Sequence, residues 1–273
     1  MVGDVGVCGV ILAAGRGTRL APFSDTRPKP SFPIGSQSLL ERAVATVRPS
    51  VEGSAVNVSG HADWFAANTP PGVTTFDEGS EPLGTAGGVY NMRDWIDGRD
   101  VVVLNADSVV FGDVGDFVDG RGQAPTRLLV TLDRGSPDFD DLWRFVGLST
   151  MTSATIAEIG PDTEDLYRDL WKRQLGDGEV DLVPFSGLAI DAGTPANLLA
   201  ANLVASGGRS VVEPGASLDG TVEQSVVLAG ADVRADEHLR LCIVDGASRF
   251  DLSSDAVVPI LRSSVSRSPS ARR

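Results

Sequence analysis

The stretch Val5-Gly6-Val7-Cys8-Gly9-Val10-Ile11-Leu12-Ala13-Ala14-Gly15-Arg16-Gly17-Thr18-Arg19-Leu20 decides how the rest of the chain is read. Val5 to Leu12 is an apolar run of strand length that passes directly into small residues and the glycines Gly15 and Gly17. A buried strand opening into such a loop lets backbone amides come close to a polyphosphate. Arg16 in the loop, and Lys29 within Arg27-Pro28-Lys29-Pro30, bring the positive charge that a triphosphate needs. A dinucleotide-binding fingerprint wants a third glycine where Leu20 stands, and the proline-rich segment through Pro33 delays any helix. A P-loop needs Gly-Lys followed by Ser or Thr, and the chain has no such tripeptide. An ordinary loop rich in Gly and Pro accounts for the small residues. It does not account for Arg16, Arg19 and Lys29 placed around them.

Outward from this loop, strand and helix patterns alternate. Ser38 is placed to cap a helix from Leu39 to Val47. Ala55 to Val58 reads as a strand, His61 to Asn68 as a helix ending before Pro70-Pro71, and Val73 to Phe76 as a strand. After the acidic loop Asp77 to Pro82, Leu83-Gly84-Thr85-Ala86-Gly87-Gly88 opens a helix to about Trp95. Val101 to Leu104 is a β-branched run of the kind buried on both sheet faces. Arg127 to Leu132 and Phe145 to Met151 look like strands, Asp165 to Gln174 like a helix, and Leu182 to Ile190 extended. Thr194 with Pro195 starts a helix that Gly207-Gly208 ends. The pattern predicts an α/β fold with a doubly wound, mostly parallel sheet, as a first domain over 1–207.

Past Gly208 the texture changes. Apolar residues recur every six positions, at Val212 and Leu218, then at Val227, Val233 and Leu239. This resembles the rungs of a left-handed parallel β-helix built from hexapeptides and predicts a short appendage over 208–250. An irregular β-appendage fits the same few residues. So short a stack buries little surface alone and is expected to lean on the first domain or on a second copy of the chain, which would make a homo-oligomer. In the remaining segment, 251–273, Ser and Arg dominate from Ser263 onward without an apolar face, so the end of that tail is expected to be disordered.

A chain of 273 residues with 42% hydrophobic residues holds one large domain and a smaller one. Its net charge of −14 speaks against a nucleic-acid partner, whose phosphates demand a basic surface. Lys29 and Lys172 supply all the lysine. Cys8 and Cys242 stand far apart and make neither a disulfide framework nor a zinc site. No apolar run reaches membrane-spanning length, and no charged segment precedes the first strand as in a secretory signal, so a cytoplasmic protein with no membrane partner is expected.

The run Leu12-Ala13-Ala14-Gly15-Arg16-Gly17-Thr18-Arg19-Leu20, continued by Pro28-Lys29-Pro30, closely resembles the signature of sugar-1-phosphate nucleotidyltransferases. Two further motifs follow in family order. Asn105-Ala106-Asp107 resembles the strand end whose aspartate binds the catalytic magnesium, with Ala106 in place of the usual glycine. Asp191-Ala192-Gly193-Thr194-Pro195 resembles the element whose aspartate completes the metal site. Read without the family, Asp107 is a turn former and Asp191 the start of a turn before a helix. The resemblance covers Val5 to about Ala205 and implies a Rossmann-like nucleotidyltransferase fold, Mg2+ as cofactor, and a nucleoside triphosphate and a sugar 1-phosphate as substrates. It implies Arg16, Lys29, Asp107 and Asp191 as catalytic residues, and Leu12, Ala13, Ala14, Gly15, Gly17 and Thr18 around the nucleotide phosphates. Gly84, Thr85 and Ala86 resemble the segment lining the base pocket. The longer members' Glu-Lys-Pro motif, whose lysine holds the sugar phosphate, is missing here. Arg144, Gly147 and Lys172 are the candidates for that end of the substrate, with ordinary surface charge as the alternative for Arg144 and Lys172.

Leu83 to Gly87 and the appendage look most like mannose-1-phosphate guanylyltransferases, which implies GTP and mannose 1-phosphate. A compact uridylyl- or thymidylyltransferase is the alternative. A non-catalytic relative that binds a nucleotide sugar, and a hexapeptide-repeat acyltransferase, belong to other classes. The presence of Arg16, Lys29 and both aspartates speaks against the former, and the shortage of rungs against the latter.

Overall fold

The computed structural model describes residues 6–133, 135–246, 248–252 and 257. Val7–Leu12 is the middle of the fold's main sheet, flanked on one side by Asp100–Asn105 and on the other by Ser54–Val58. The sheet has seven strands in the order Val180–Pro184, Thr126–Leu132, Trp143–Met151, Asp100–Asn105, Val7–Leu12, Ser54–Val58, Val73–Asp77. Every neighbouring pair is parallel except the two made by Trp143–Met151, which runs against both its partners. The expected mostly parallel sheet is present. The central strands are buried along almost their whole length, as their unbroken Val and Leu runs require.

Contacts group the chain into two compact units, Met1–Arg16 with Ala43–Ala189, and Gly17–Arg42 with Ile190–Arg273. The first unit holds the seven-stranded sheet and its main core, where Val10, Val101, Val103, Leu128 and Val130 meet Met92, Ile96, Leu170 and Trp171. The helix Leu39–Val47 starts on a reciprocal cap: Glu41 N–H donates to Ser38 Oγ, and Ser38 N–H donates to Glu41 Oε2. The segment expected as one helix from Asp165 begins as a π-helix, Leu166–Trp171, and turns α-helical over Lys172–Asp177.

The second unit is built on the helix Pro195–Ser206, capped by Thr194 Oγ1, which accepts from Asn197 N–H. This helix is apolar on nearly every side and buried accordingly. Its one polar core residue, Asn202, accepts from Gly35 N–H and donates to Pro33 and Leu198 carbonyls. The helix packs on Cys242–Asp245, a strand of the C-terminal coil.

That coil is made of parallel ladders: Val211–Val212 on Val226–Val227 on Cys242–Asp245, Ser217–Leu218 on Asp232–Val233, and Thr221–Glu223 on His238–Arg240. It is the β-helix-like appendage expected from the sequence. Val212 lies opposite Val227 and Leu218 opposite Val233, so the six-residue positions stack; Val227 and Val233 are buried, whereas Val212 and Leu218, in the first coil, are 40% and 42% exposed. The coil's core joins Val227, Ala231, Val233, Cys242 and Val244. The expectation of disorder from Ser263 onward lies outside the described residues. No helix among the described residues is long and apolar enough to cross a membrane.

Candidate active site

In the first unit, the loop begins where the central strand ends. Ala13 N–H donates to Asn57 Oδ1 at 2.7 Å, Asn57 Nδ2 donates to Glu78 Oε1 at 2.8 Å, and Leu83 N–H donates to Glu78 Oε2 at 2.9 Å. This relay ties the start of the glycine-rich loop to the start of the Gly84–Asn91 helix. Gly88 makes room for it, since a Cβ there would stand 2.6 Å from Asn57 Nδ2. Beyond the relay, Ala14 is buried and Gly15 is exposed with open space around it. Arg16 is exposed and ion-paired with Glu81. Such a solvent-screened pair contributes about 0–1 kcal/mol, so it holds the guanidinium in place only weakly.

Asp107 lies on the turn between Asp100–Asn105 and Ser108–Phe111, at the carboxyl end of a central strand. Its neighbour Ala106 is buried, and the Ala106 N–H donates to Leu12 O at 2.9 Å, which docks the turn beside the loop's first residue. A methyl group is accommodated where the family's glycine would stand.

Gly84 has a positive φ of 82°, and a Cβ there would overlap the Glu164 carbonyl. Thr85 Oγ1 accepts from Leu166 N–H, and Ala86 N–H donates to Glu164 O. Two of the three base-pocket candidates are therefore engaged in holding the 164–166 segment. That segment closes one side of a cavity of about 170 Å³, whose lining includes Thr85, Asn105, Phe145, Gly147, Leu166 and Trp171. Gly147 has φ 87°, and a side chain there would collide with Ser108. Arg144 is not part of this cavity. It is exposed and donates to Asp133 Oδ2 at 3.1 Å. Burial raises the Asp133 pKa, but hydrogen bonds from the Gly135 and Ser136 amides and from Arg144 outweigh it and leave the carboxyl below its ordinary range. Lys172 is exposed on the helix that follows Trp171.

In the second unit, Gly17 adopts the left-handed conformation, φ 65°, and accepts from Leu20 N–H and Ser24 Oγ through its carbonyl. A Cβ at Gly17 would stand 3.0 Å from Lys29 Cβ, so the glycine lets the Lys29 stem lie against the loop. Thr18 is exposed at the head of the short 3-10 turn Thr18–Leu20. Lys29 opens a second 3-10 turn, Lys29–Ser31, and Arg27 clamps that turn from outside. Its Nε donates to Ser31 Oγ, Nη2 to Ser31 O, and the guanidinium reaches Glu213 of the coil at 2.7 and 3.0 Å.

Asp191 ends the strand Leu188–Asp191. Its Oδ1 accepts from Gly193 N–H at 2.8 Å, and its Oδ2 accepts from both terminal nitrogens of Arg19 at 3.2 Å. Gly193 carries no side chain to push Arg19 away.

Sequence reasoning missed Asn57, Glu78, Glu213 and Asn202. Asn57 alone left a trace, as a polar residue inside the apolar run Ser54–Val58.

Residues 9–114 match the model of the MobA-like NTP transferase domain. The chain is 30% identical to N-acetylmuramate alpha-1-phosphate uridylyltransferase of Caulobacter vibrioides, over 70% of this chain and 94% of that protein. It is 33% identical to bifunctional protein GlmU of Methanococcus vannielii, over 40% of this chain and 27% of that protein. Among solved structures, a putative glucose-1-phosphate thymidylyltransferase from Bacillus anthracis superposes with a TM-score of 0.63 at 19% identity, covering 73% of this chain and 95% of that one. HddC from Yersinia pseudotuberculosis complexed with GMP-PN gives 0.58 at 22% identity, covering 71% and 97%.

Proposed function

Because the chain belongs to the sugar-1-phosphate nucleotidyltransferases, we propose that it moves a uridylyl group from UTP to a sugar 1-phosphate, giving UDP-sugar and pyrophosphate. The enzyme class itself, nucleotidyl transfer to a sugar 1-phosphate, follows from the family. The choice of uridine rests on one observation, the match to a uridylyltransferase over 94% of that protein's length. GTP with mannose 1-phosphate, favoured by the look of Leu83 to Gly87, is the rival pairing.

The reaction needs no general base, since a sugar 1-phosphate is an anionic nucleophile at neutral pH. One of its phosphate oxygens bonds to the α-phosphorus, the bond from that phosphorus to the bridging oxygen breaks, and pyrophosphate leaves with the electron pair. The protein's task is to hold two anions in line and to balance the charge that builds between them. In this reading the Ala13–Gly15 backbone and Gly17 with Thr18 cradle the triphosphate, and Arg16 meets the leaving phosphates. Lys29, which lies along Gly17, adds its charge to the same chain of phosphates. Asp107 and Asp191 carry the hard oxygen donors that Mg2+ takes, and the resemblance to the family is what assigns both to that ion. When bound, the ion supplies charge neutralisation on phosphate oxygens. Arg19 holds Asp191 Oδ2, so that pair must open for the carboxylate to serve as a ligand. We assign the chemistry to 1–207, with the coil over 208–250 in support.

The test is a pyrophosphate-release panel at saturating Mg2+, crossing UTP, dTTP, GTP, ATP and CTP with glucose, mannose, N-acetylglucosamine and N-acetylmuramate 1-phosphates. A kcat/KM at least about tenfold higher for UTP than for GTP is expected, because a base pocket leaves polar groups unpaired against the wrong base. A GTP preference overturns the uridylyl assignment, and no product from any pair overturns the activity.

A further inference from the structure

Two backbone amides in the first unit are joined by two side chains. Ala13 N–H heads the glycine-rich loop and Leu83 N–H precedes the Gly84–Asn91 helix; a backbone N–H can only donate. Asn57 Oδ1 accepts the first at 2.7 Å, Glu78 Oε2 accepts the second at 2.9 Å, and Asn57 Nδ2 donates to Glu78 Oε1 at 2.8 Å. The sheet register places the pair. Asn57 lies opposite Leu12 on one side and Phe76 on the other, and Glu78 follows Phe76 by two residues onto the same face.

A chain with a donor at each end needs one side chain that only accepts and one that both accepts and donates. Two amides would set a donor against a donor, and two carboxylates would set oxygen against oxygen. One carboxylate and one amide satisfy every bond, in either order. Asn57 is 3% exposed, so a mismatch there has no water to relieve it. Gly88 leaves the room, since a Cβ would stand 2.6 Å from Asn57 Nδ2 and 3.0 Å from Glu78 Oε1.

The two segments joined in this way are those that the transferase reading gives to opposite ends of the nucleotide. The loop from Ala13 takes the phosphates, and the helix start at Gly84 takes the base. Two linked halves of a ligand bind best when the span between their sites matches the link. A loop and a helix start free to shift against each other would lose that match, and with it the placement of the α-phosphorus.

We propose that Asn57 and Glu78 are positioning residues for the nucleoside triphosphate, fixing the span between the loop that takes its phosphates and the helix start that takes its base. The proposal rests on the transferase reading above and assigns a role within it to two residues that act through Ala13 and Leu83. Asn57 Oδ1 and both Glu78 oxygens are taken up by bonds within the protein, so the pair works by holding those segments.

The test uses the full chain with Asn57→Asp, Glu78→Gln and the double variant. Asn57→Asp still accepts from Ala13 N–H, and Glu78→Gln still accepts from Leu83 N–H. Each single change therefore keeps both ends held and breaks only the middle bond. The double variant restores that bond with its direction reversed, donated from position 78 to position 57. Calorimetry in Mg2+ buffer with UTP, dTTP, GTP, ATP, CTP and inorganic tripolyphosphate reads the span without turnover. Each single variant should bind the preferred nucleoside triphosphate about tenfold more weakly, and the double variant should return to within about threefold of the unmodified protein. Tripolyphosphate, which fills the loop alone, should bind all four proteins equally. In steady state the loss should fall on the KM for nucleotide, with the KM for sugar phosphate unchanged. Amide exchange in the unmodified protein needs no variant to fold: Ala13 and Leu83 should both be protected. A double variant no better than the singles, an equal loss of tripolyphosphate binding, or exchange of either amide at the rate of an unstructured peptide overturns the proposal. Rescue of triphosphate binding without pyrophosphate release from any sugar 1-phosphate would count against the transferase reading and leave the positioning role standing. Binding of no nucleoside triphosphate by the unmodified protein would overturn both.

Discussion

Replacing Glu213 with alanine removes the group that holds Arg27 to the coil. The Glu213 carboxylate takes both terminal nitrogens of Arg27 at 2.7 and 3.0 Å, and its Oε2 also accepts from Ala229 N–H at 2.9 Å. The two side chains are 20% and 15% exposed, so the pair is neither a surface contact nor a fully buried one. Exposed pairs contribute about 0–1 kcal/mol, and breaking a buried one costs about 3–5 kcal/mol. The intermediate burial and the additional amide bond place Glu213→Ala near 2–3 kcal/mol of lost stability. For a chain of this size that amounts to a fall of roughly 4–12 °C in Tm. Arg27 keeps its bonds to Ser31 and its place 5.0 Å over the Phe32 ring, so the Lys29–Ser31 turn survives but is held from one side only. If Lys29 serves the nucleotide, its looser seating raises the KM for UTP more than the KM for the sugar phosphate. The assay is thermal denaturation of Arg27→Met, Glu213→Ala and the double variant, followed by steady-state kinetics. A coupling energy near zero between the two positions would refute the claim that this pair fastens the turn.

Asp107→Asn and Asp191→Asn should each lower kcat by about 100- to 1000-fold with the fold intact by circular dichroism; wild-type turnover across a magnesium titration removes that residue from the metal assignment. Lys29→Met should raise the KM for nucleotide and lower kcat, and unchanged kinetics would return Lys29 to a structural role. Glu237 is held at about 2 by hydrogen bonds from Arg249 and from the Arg234 amide. A depressed carboxyl contributes stability above its ordinary value near 4.5 and loses it as pH falls towards 2, so the coil should loosen on acidification in that window; a Glu237 midpoint near 4.5 by NMR would show that the bridge does not form. Cys8 and Cys242 are each pushed up to about 11, chiefly by burial, so both should resist thiol reagents at pH 8 until the protein unfolds, and prompt labelling of the native protein would contradict that burial.

What the sequence revealed was local. The apolar run into Leu12, the cap at Ser38, the Thr194-Pro195 start and the Gly207 stop are each carried by a few adjacent residues, and each element appears within a residue or two of its expected bounds. The direction of Trp143–Met151 was not legible, because a buried strand has the same side-chain pattern whichever way it runs. The coil shows what a periodicity leaves out. The six-residue step finds the stacked pairs Val212–Val227 and Leu218–Val233, but Val211 lies opposite Val226 and Val226 opposite Ile243, so successive coils differ in residue count, and the rhythm does not tell that the first coil's Val212 and Leu218 stay exposed.

The candidate site divides in the same way. Its glycines, Lys29 and two aspartates stand out because their chemistry is written into short motifs. The groups that hold them do not, because each is joined across a long stretch of chain. Asn57 and Glu78 connect Ala13 to Leu83, and Arg27 finds Glu213 far along the sequence. Such residues look like ordinary surface charge until their partner is known. Of the residues that line the cavity around Trp171, the sequence picks out Thr85 and Gly147 but neither the π-turn nor the buried Ser149. Arg144 and Lys172 stay the candidates for the part of the absent Glu-Lys-Pro lysine. Arg144 is bound to Asp133 and Lys172 is exposed, and neither lines the cavity. Neither is marked by a motif, so the sequence offers both and chooses neither.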